Sequence, residues 1–424
     1  MNQTIKTRIE QIGRGEVPEG YKKTKVGIVP ATWEETRFKK MFSRLTRKNK
    51  EGNDNVLTIS AQYGLISQSD FFNKSIASED KSNYFLLYKG EYAYNKSYSN
   101  GYPYGALKRL EFYEKGIVSP LYICFTKTEE NQCPDFYSHY FEGGLMNKEI
   151  KAFAQEGARN HGLLNIAVED FFNSYILKPS LAERERIAEI LGTQDKLIAL
   201  KEKRIAEKKQ QKKYLMQQLL TGKKRLPGFT GKWREYPISQ FLEIRNERQL
   251  PTVEAPLRAF VAEKGIVEKG SRYDRSFLVK SDDKEYKRTE LWDFIYSSNN
   301  LDVGSIGLNT YGSAVISIVY EIFKVKSTTL PILISNIIQL TENMHKILKY
   351  RQGALYGQYK IYAEDFLSVK ILMPELNEQQ AIANILSQAD KEIELLQKDL
   401  EEEKNKKKAL MQLLLTGIVR VVQW

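Results

Sequence analysis

LMQQLLTG occupies Leu215–Gly222, and LMQLLLTG occupies Leu410–Gly417. The two runs lie 195 positions apart, since 410 − 215 = 195. The same offset pairs Glu169, Asp170 and Phe171 with Glu364, Asp365 and Phe366, and Pro179 with Pro374. It continues through Leu181/Leu376, Ile187/Ile382, Ile190/Ile385, Leu191/Leu386, Asp195/Asp390 and Lys196/Lys391. No gap interrupts the match over about fifty residues, so the chain contains an internal duplication.

The duplicated segment predicts a long helix. Positions 187, 191, 194, 198, 201, 205, 208, 212, 215 and 219 advance in alternating steps of four and three, which is coiled-coil periodicity. Ile187, Leu191, Ile198, Ile205, Leu215 and Leu219 lie on that stripe, while Gln194, Lys201, Lys208 and Lys212 interrupt it. The second copy is more apolar, with Ile382, Leu386, Ala389, Ile393, Leu396, Leu400, Leu410 and Leu414. A proline precedes each start, and Gly222 and Gly417 stand where a left-handed glycine ends a helix. Gly192 costs the first copy about 1 kcal/mol relative to alanine and marks a place for a bend. Each helix covers about 40 residues, or about 60 Å at 1.5 Å per residue. Burying both stripes against each other is the economical arrangement. The run KEKRIAEKKQQKK reads as the solvated outer face of the first helix rather than as a DNA contact.

The segments before each helix are duplicated more loosely. Gly64 aligns with Gly265, Phe72 with Tyr273, Tyr84 with Tyr286, and Tyr94 with Tyr296. SPLYICF (119–125) answers SIVYEIF (317–323), and WEETRFKKMF from Trp33 answers WREYPISQFL from Trp233. Apolar and glycine positions align; polar, charged and tyrosine positions mostly differ. Two modules with one frame and two different surfaces follow. Alternating apolar patterns predict strands at VLTIS, EYAYN and GIVSPLYICF in the first module, and at LRAFVA, LWDFIYS and AVISIVYEIF in the second. Helical stretches follow near HYFEGGLMNKEIKAFAQ and LISNIIQLTENMHKILKY.

The chain has 424 residues, a formal net charge of +12 and a pI of about 9.2, an excess that suits a polyanionic partner. Candidate contacts concentrate in two loop pairs. NKSYSNGYPYGALKR (95–109) offers Asn95, Lys96, Tyr98, Asn100, Tyr102, Lys108 and Arg109; its counterpart SSNNLDVGSIGLNTYG (297–312) offers Asn299, Asn300, Asn309 and Tyr311. Asn, Lys and Arg read base edges, while Tyr, Ser and backbone amides hold phosphates. QEGARNHG (155–162) and RQGALYGQ (351–358) form the second pair and supply Arg159 and Arg351. Tyr63, and Arg272 and Arg275 in GSRYDRSF, complete the set. The competing reading is that these are glycine-rich connections with inward-packed tyrosines.

Catalytic signatures are missing. There is no phosphate-binding loop ending in Lys-Ser/Thr, no GxGxxG, and no Pro-Pro preceded by Asp or Asn as an amino-methyltransferase needs. Glu285–Lys287 has nuclease-like Glu-x-Lys spacing, but such triplets are common in a chain this charged. His139 and His161 read as packing or surface residues. Three histidines and two cysteines, Cys124 and Cys133, argue against a metal cluster or a disulfide framework. No apolar stretch is long enough to span a bilayer, and the N-terminal residues do not resemble a secretory signal. A cytoplasmic protein is expected.

Taken together, PEGYKKTKVGIVPATW (18–33), YNKSYSNGYPYGALKR, EDFF…LKPSLAERERIAEIL, LLTGKKRLPGFTGKW (219–233) and the closing helix resemble the specificity subunit of type I restriction–modification systems over essentially the whole chain. The resemblance implies an α+β fold with two mixed α/β target-recognition domains, 25–178 and 223–373. Two long antiparallel coiled-coil helices, 179–222 and 374–424, separate them with pseudo-twofold symmetry; periodicity alone does not orient the pair. The segment 1–24 would complete the end of the C-terminal spacer, a circular arrangement. Each domain would read one half of a split, asymmetric duplex target, and the helices would set the spacing. The resemblance implies no catalysis and no cofactor in this chain. Two modification subunits would bring S-adenosylmethionine and methylate adenine; two motor-nuclease subunits would use ATP and Mg and cut, as in phage defence. A coiled-coil adaptor for other proteins, or a nucleic-acid-binding protein outside restriction, is the alternative.

Overall fold

The computed structural model describes residues 3–60, 64–71, 80–98, 101–129, 132–156, 162, 164–261, 265–268, 285–299, 301, 304–355 and 358–421. The chain divides into two compact units, residues 1–202 with 398–424, and residues 203–397.

In the first unit a four-stranded antiparallel sheet runs in the order Phe42–Leu45, Ile123–Lys127, Tyr92–Asn95, Ala106–Arg109. Its buried face is aromatic. Tyr92 stacks on Phe125 with centroids 5.1 Å apart, and Phe38, Phe42 and Phe141 meet the same cluster. The helix Pro134–Glu142 closes this face with Phe136, Tyr137, Tyr140 and Phe141. Its proline sits in the first turn, where the missing N–H costs nothing.

The second unit repeats the arrangement: Leu242–Ile244, Tyr320–Val325, Phe294–Ser297, Ile306–Leu308. Phe323 lies opposite Phe294 as Phe125 lies opposite Tyr92. Phe366 packs on Tyr296 at 4.6 Å, as Phe171 packs on Tyr94 at 5.1 Å. The aligned tyrosines Tyr94 and Tyr296 are therefore core residues, fully buried in both units. The helices Pro331–Ile338 and Thr341–Leu348 lie where helical stretches were expected. GIVSPLYICF is not one strand. It forms Lys115–Val118 and Ile123–Lys127 around a turn in which Tyr122 N donates to Ser119 O at 3.0 Å. Pro120 lacks the N–H that a continuous strand would need. AVISIVYEIF breaks at the matching place, with Tyr320 N donating to Ser317 O.

The long helices are Leu181–Leu219 and Leu376–Leu415, and the first runs unbroken through Gly192. Within the first unit they are antiparallel: Lys201 bonds Asp399 at 2.6 Å, Lys404 bonds Glu202 at 2.7 Å, and Lys407 pairs with Asp195. Within the second unit Lys208 meets Glu392 at 2.7 Å and Lys212 meets Asp390 at 2.5 Å. Each polar interruption of the first stripe thus faces an acid on the other helix. Gln194 likewise donates to Glu403.

Gly222 and Gly417 adopt φ of 70° and 72° and cap the helices as anticipated. Trp233 packs on Gly222, and Trp33 packs on Gly417. Trp33 Nε1 and Arg420 both donate to the buried carboxylate of Glu183; Trp233 Nε1 and Arg225 both donate to Glu378. These four charged residues also obey the 195 offset. Arg8 donates to Ile418 O, and Tyr21 donates to Gly417 O at 2.7 Å, so the N-terminal segment meets the end of the C-terminal helix. No helix among the described residues is long and apolar enough to cross a membrane.

Candidate nucleic-acid interface

The sheets bring the two candidate loops of each unit together. In the first unit Leu164 N donates to Lys96 O at 3.0 Å, and Tyr98 N donates to Gly162 O at 2.7 Å. In the second, Ile361 N donates to Ser298 O at 3.0 Å, and Asn299 bridges Lys360. Each composite surface starts where the buried strand Tyr92–Asn95 or Phe294–Ser297 emerges from the core.

Side chains on the first surface divide into two groups. Tyr98 is 62% exposed, and Lys96 is half-buried with no ion-pair partner among the described residues. Asn95 accepts Ser97 N at 3.1 Å, a turn that directs the loop outward. Gly105 allows the return: at φ 78°, a Cβ there would lie 2.2 Å from Asn95 O. The remaining candidates are already engaged. Lys108 pairs with Glu142, and Tyr102 donates its hydroxyl to the same carboxylate. Burial, then the Glu142 charge, push the Tyr102 phenol well above its usual range. Arg109 bonds Glu111 at 2.8 Å and Asp135 at 2.5 Å.

On the second surface Asn299 is exposed, and Tyr311 is 48% exposed with its ring beneath Arg258 at 5.3 Å. Arg351 is exposed, lies over the Tyr359 ring at 4.9 Å, and donates to Leu348 O. Asn309 must be removed from the contact set. It is fully buried, its amide donates to Thr289 and Gly312, and its oxygen accepts from the backbone of Tyr311 and Gly312. Every polar valence is spent on holding the loop. Tyr63, Asn100, Arg159, Arg272, Arg275 and Asn300 lie outside the described residues.

Arg258 and Lys360 escaped the sequence reading, yet each sits over an exposed tyrosine, Lys360 over Tyr362 at 4.8 Å. The K-I-Y spacing of 360–362 carries that signal: the strand Gln358–Lys360 ends at Lys360 and Tyr362 follows in extended backbone, where alternate residues share a face. Lys287 of the Glu-x-Lys triplet is buried against Glu321 at 2.7 Å, a structural pair. His139 is buried, and desolvation holds its imidazole below the usual range despite Asp195 nearby. Among the described residues no group of three His, Cys, Asp or Glu side chains could hold a metal ion.

Residues 230–404, which include the second surface and most of the second long helix, match the family model of the type I restriction modification DNA specificity domain. These residues carry a type I restriction–modification DNA specificity domain. Beyond this specificity domain the likeness extends along the chain. A putative type I restriction enzyme MjaX specificity subunit from Methanocaldococcus jannaschii is 24% identical over 434 residues, covering 95% of this chain and 97% of the relative. A chain from a structure of type I R-M system assembly and conformational transition shares the fold, with a TM-score of 0.55 and 13% identity over 92% of this chain and 99% of that one. The HsdS subunit from Thermoanaerobacter tengcongensis matches at a TM-score of 0.44 and 14% identity, over 92% of this chain and 98% of that one.

Proposed function

We propose that this chain is the DNA-specificity subunit of a type I restriction–modification complex and contributes recognition without catalysis. The observation that carries the reading is the repeated loop pair. The same backbone junction, Lys96 with Leu164 and Ser298 with Ile361, presents different side chains in the two units. One frame with two surfaces suits a duplex target split into two unlike halves. Lys96 and Tyr98 on one surface, and Asn299, Tyr311 and Arg351 on the other, contact the duplex. Lys108 and Arg109 shape the first loop from behind. The long helices set the spacing and dock two adenine-methyltransferase subunits. Those partners bring S-adenosylmethionine, and two motor-nuclease subunits bring ATP and Mg, in the cytoplasm.

Methylome sequencing of the source organism with and without this chain tests the reading. A bipartite adenine motif that disappears with the chain is expected. An unchanged methylome would overturn it.

A further inference from the structure

A four-residue turn leads into the central strand of each unit, and its bonds are repeated. In the first unit Glu91 N donates to Tyr88 O at 3.0 Å, Tyr88 N donates to the Glu91 carboxylate at 2.7 Å, and Gly90 N donates to Leu110 O at 2.8 Å. In the second, Asp293 N donates to Glu290 O at 3.0 Å, Glu290 N donates to the Asp293 carboxylate at 2.7 Å, and Trp292 N donates to Asn309 O at 2.7 Å. An arginine meets each carboxylate, Arg47 on Glu91 and Arg245 on Asp293. The third residue of the turn has positive φ in both units, 90° at Gly90 and 69° at Trp292. Glycine enters that region freely, whereas a bulky side chain there is strained. The first unit shows that the turn closes with no ring at this place.

Trp292 is 39% exposed, and its indole N–H has no hydrogen-bond partner among the described residues. Strain of this kind persists where a side chain must be presented to a ligand. The surroundings point to the same duplex-facing surface. Asn309 accepts from Trp292 N through its backbone and from Tyr311 N through its side chain at 2.9 Å, so one buried asparagine ties both aromatic residues together. The acids of the turn are neutralised, Asp293 by Arg245 at 2.8 Å and Glu290 by Arg288 at 2.6 Å, and so do not repel phosphate. We propose that Trp292 is a specificity residue of the second unit, its ring set against base edges of the half-site that this unit reads. The proposal rests on the reading above that the chain recognises duplex DNA.

An indole offers an apolar face, suited to a thymine methyl, and a single donor, suited to a base acceptor. Neither involves charge, so the contact adds nothing to the salt dependence of binding. A partner protein fits this place poorly. Docked on the repeated frame, it would meet a ring in one unit and glycine in the other. Two unlike half-sites call for that difference.

Trp292→Gly installs the residue that the first unit uses, and Trp292→Asn is the second variant, because asparagine also tolerates positive φ. Thermal melts are run on the full chain. Binding is measured on the chain assembled with the methyltransferase subunits of the source genome, over a range of salt. The probes are a duplex carrying the motif found by methylome sequencing, and two more with one half scrambled in each. The half that survives exchange of residues 25–178 belongs to the second unit. Both variants are expected to melt at or above the wild-type temperature and to bind the motif duplex about tenfold more weakly at an unchanged salt slope. They should lose discrimination against scrambling of the second unit's half and keep it for the other half. Wild-type affinity and discrimination in both variants would overturn the proposal and leave DNA reading by the chain intact. Variants that melt several degrees lower would show that the ring is kept for packing, and a reduced salt slope or equal losses on both halves would make the contact unspecific; each overturns the proposal. If the wild-type complex does not prefer the motif duplex, the functional reading and the proposal fall together.

Discussion

Trp33 donates its indole N–H to a buried carboxylate oxygen of Glu183 at 2.8 Å, across 150 positions of sequence. Trp233 does the same to Glu378 at 3.0 Å. In each unit one arginine completes the group from just beyond a helix end, Arg420 or Arg225. The repeated LMQ(Q/L)LLTG ending is thus a joint: its glycine receives the tryptophan ring, and the arginine that follows neutralises the glutamate opening the other long helix. In the first unit the joint brings together Trp33, Glu183 and Arg420, residues far apart in sequence.

Removing the carboxylate leaves an arginine and an indole N–H without their acceptor. Glu183→Ala and Glu378→Ala should each lower stability by about 2–3 kcal/mol. Denaturant melts of the full chain check this, and the two variants should agree because the geometry is repeated. A loss below about 0.5 kcal/mol would show that water replaces the carboxylate at no cost.

The candidate basic residues should separate experimentally. Lys96→Ala is expected to weaken duplex binding for all sequences and to lower the salt slope by about one charge. Arg109→Ala should instead cost about 1 kcal/mol of stability or less, because its partners Glu111 and Asp135 are partly solvated. Binding titrations over a range of salt decide between them. A reduced salt slope in Arg109→Ala would put that guanidinium on the phosphate backbone.

The duplication, the helix limits and the glycine caps were legible because they depend on period and offset, which survive divergence. Helix orientation was not, because a stripe of period 3.5 packs either way; the acids opposite Lys201, Lys208 and Lys212 resolve it locally. Those lysines looked like defects in an apolar stripe only while their partners, about 200 residues away, were unknown. The contact loops were legible as segments but not residue by residue. Asn309 and Tyr98 belong to equally polar runs, yet one is fully buried and the other 62% exposed. Composition does not say which way a loop side chain turns. Glu183, Glu378, Arg225 and Arg420 could have been found by extending the 195 offset a few positions at either end.

Acid should loosen the seam of the first unit. The hydrogen bond from Gln194, followed by the charges of Lys406 and Lys201, holds the Glu403 carboxyl below its ordinary value of 4.5. A depressed folded value means that its contribution is present above about pH 4.5 and is lost as pH falls through the lower folded value. Lys201 is raised above 10.5, first by its hydrogen bond to Asp399, so its share is complete in the same neutral window. Hydrogen-exchange protection at residues 194–202 and 399–407, corrected for the intrinsic rate at each pH, should therefore be greatest at neutral pH and fall below about pH 4.5. Glu403→Gln should flatten that acid limb, and an identical acid limb in the variant would remove Glu403 from the explanation.

Exchanging about residues 25–178 for the first module of another family member should replace one half of the methylated motif and leave the other half alone. The joints are favourable. Glu34–Arg37 pairs with Tyr175–Lys178, so both strands that close the module travel together. Trp33 travels with them while Glu183 remains, so the donor must carry a tryptophan at that place for the buried hydrogen bond to re-form. The frame behind the loops repeats in the second unit, where Phe323 lies opposite Phe294 and Ser298 accepts from Ile361, and the exchange touches none of it. Methylated adenines mapped for the chimera, assembled with its methyltransferase subunits, give the outcome directly. A chimera with a donor tryptophan that altered both halves of the motif together would mean that the two surfaces do not read independently.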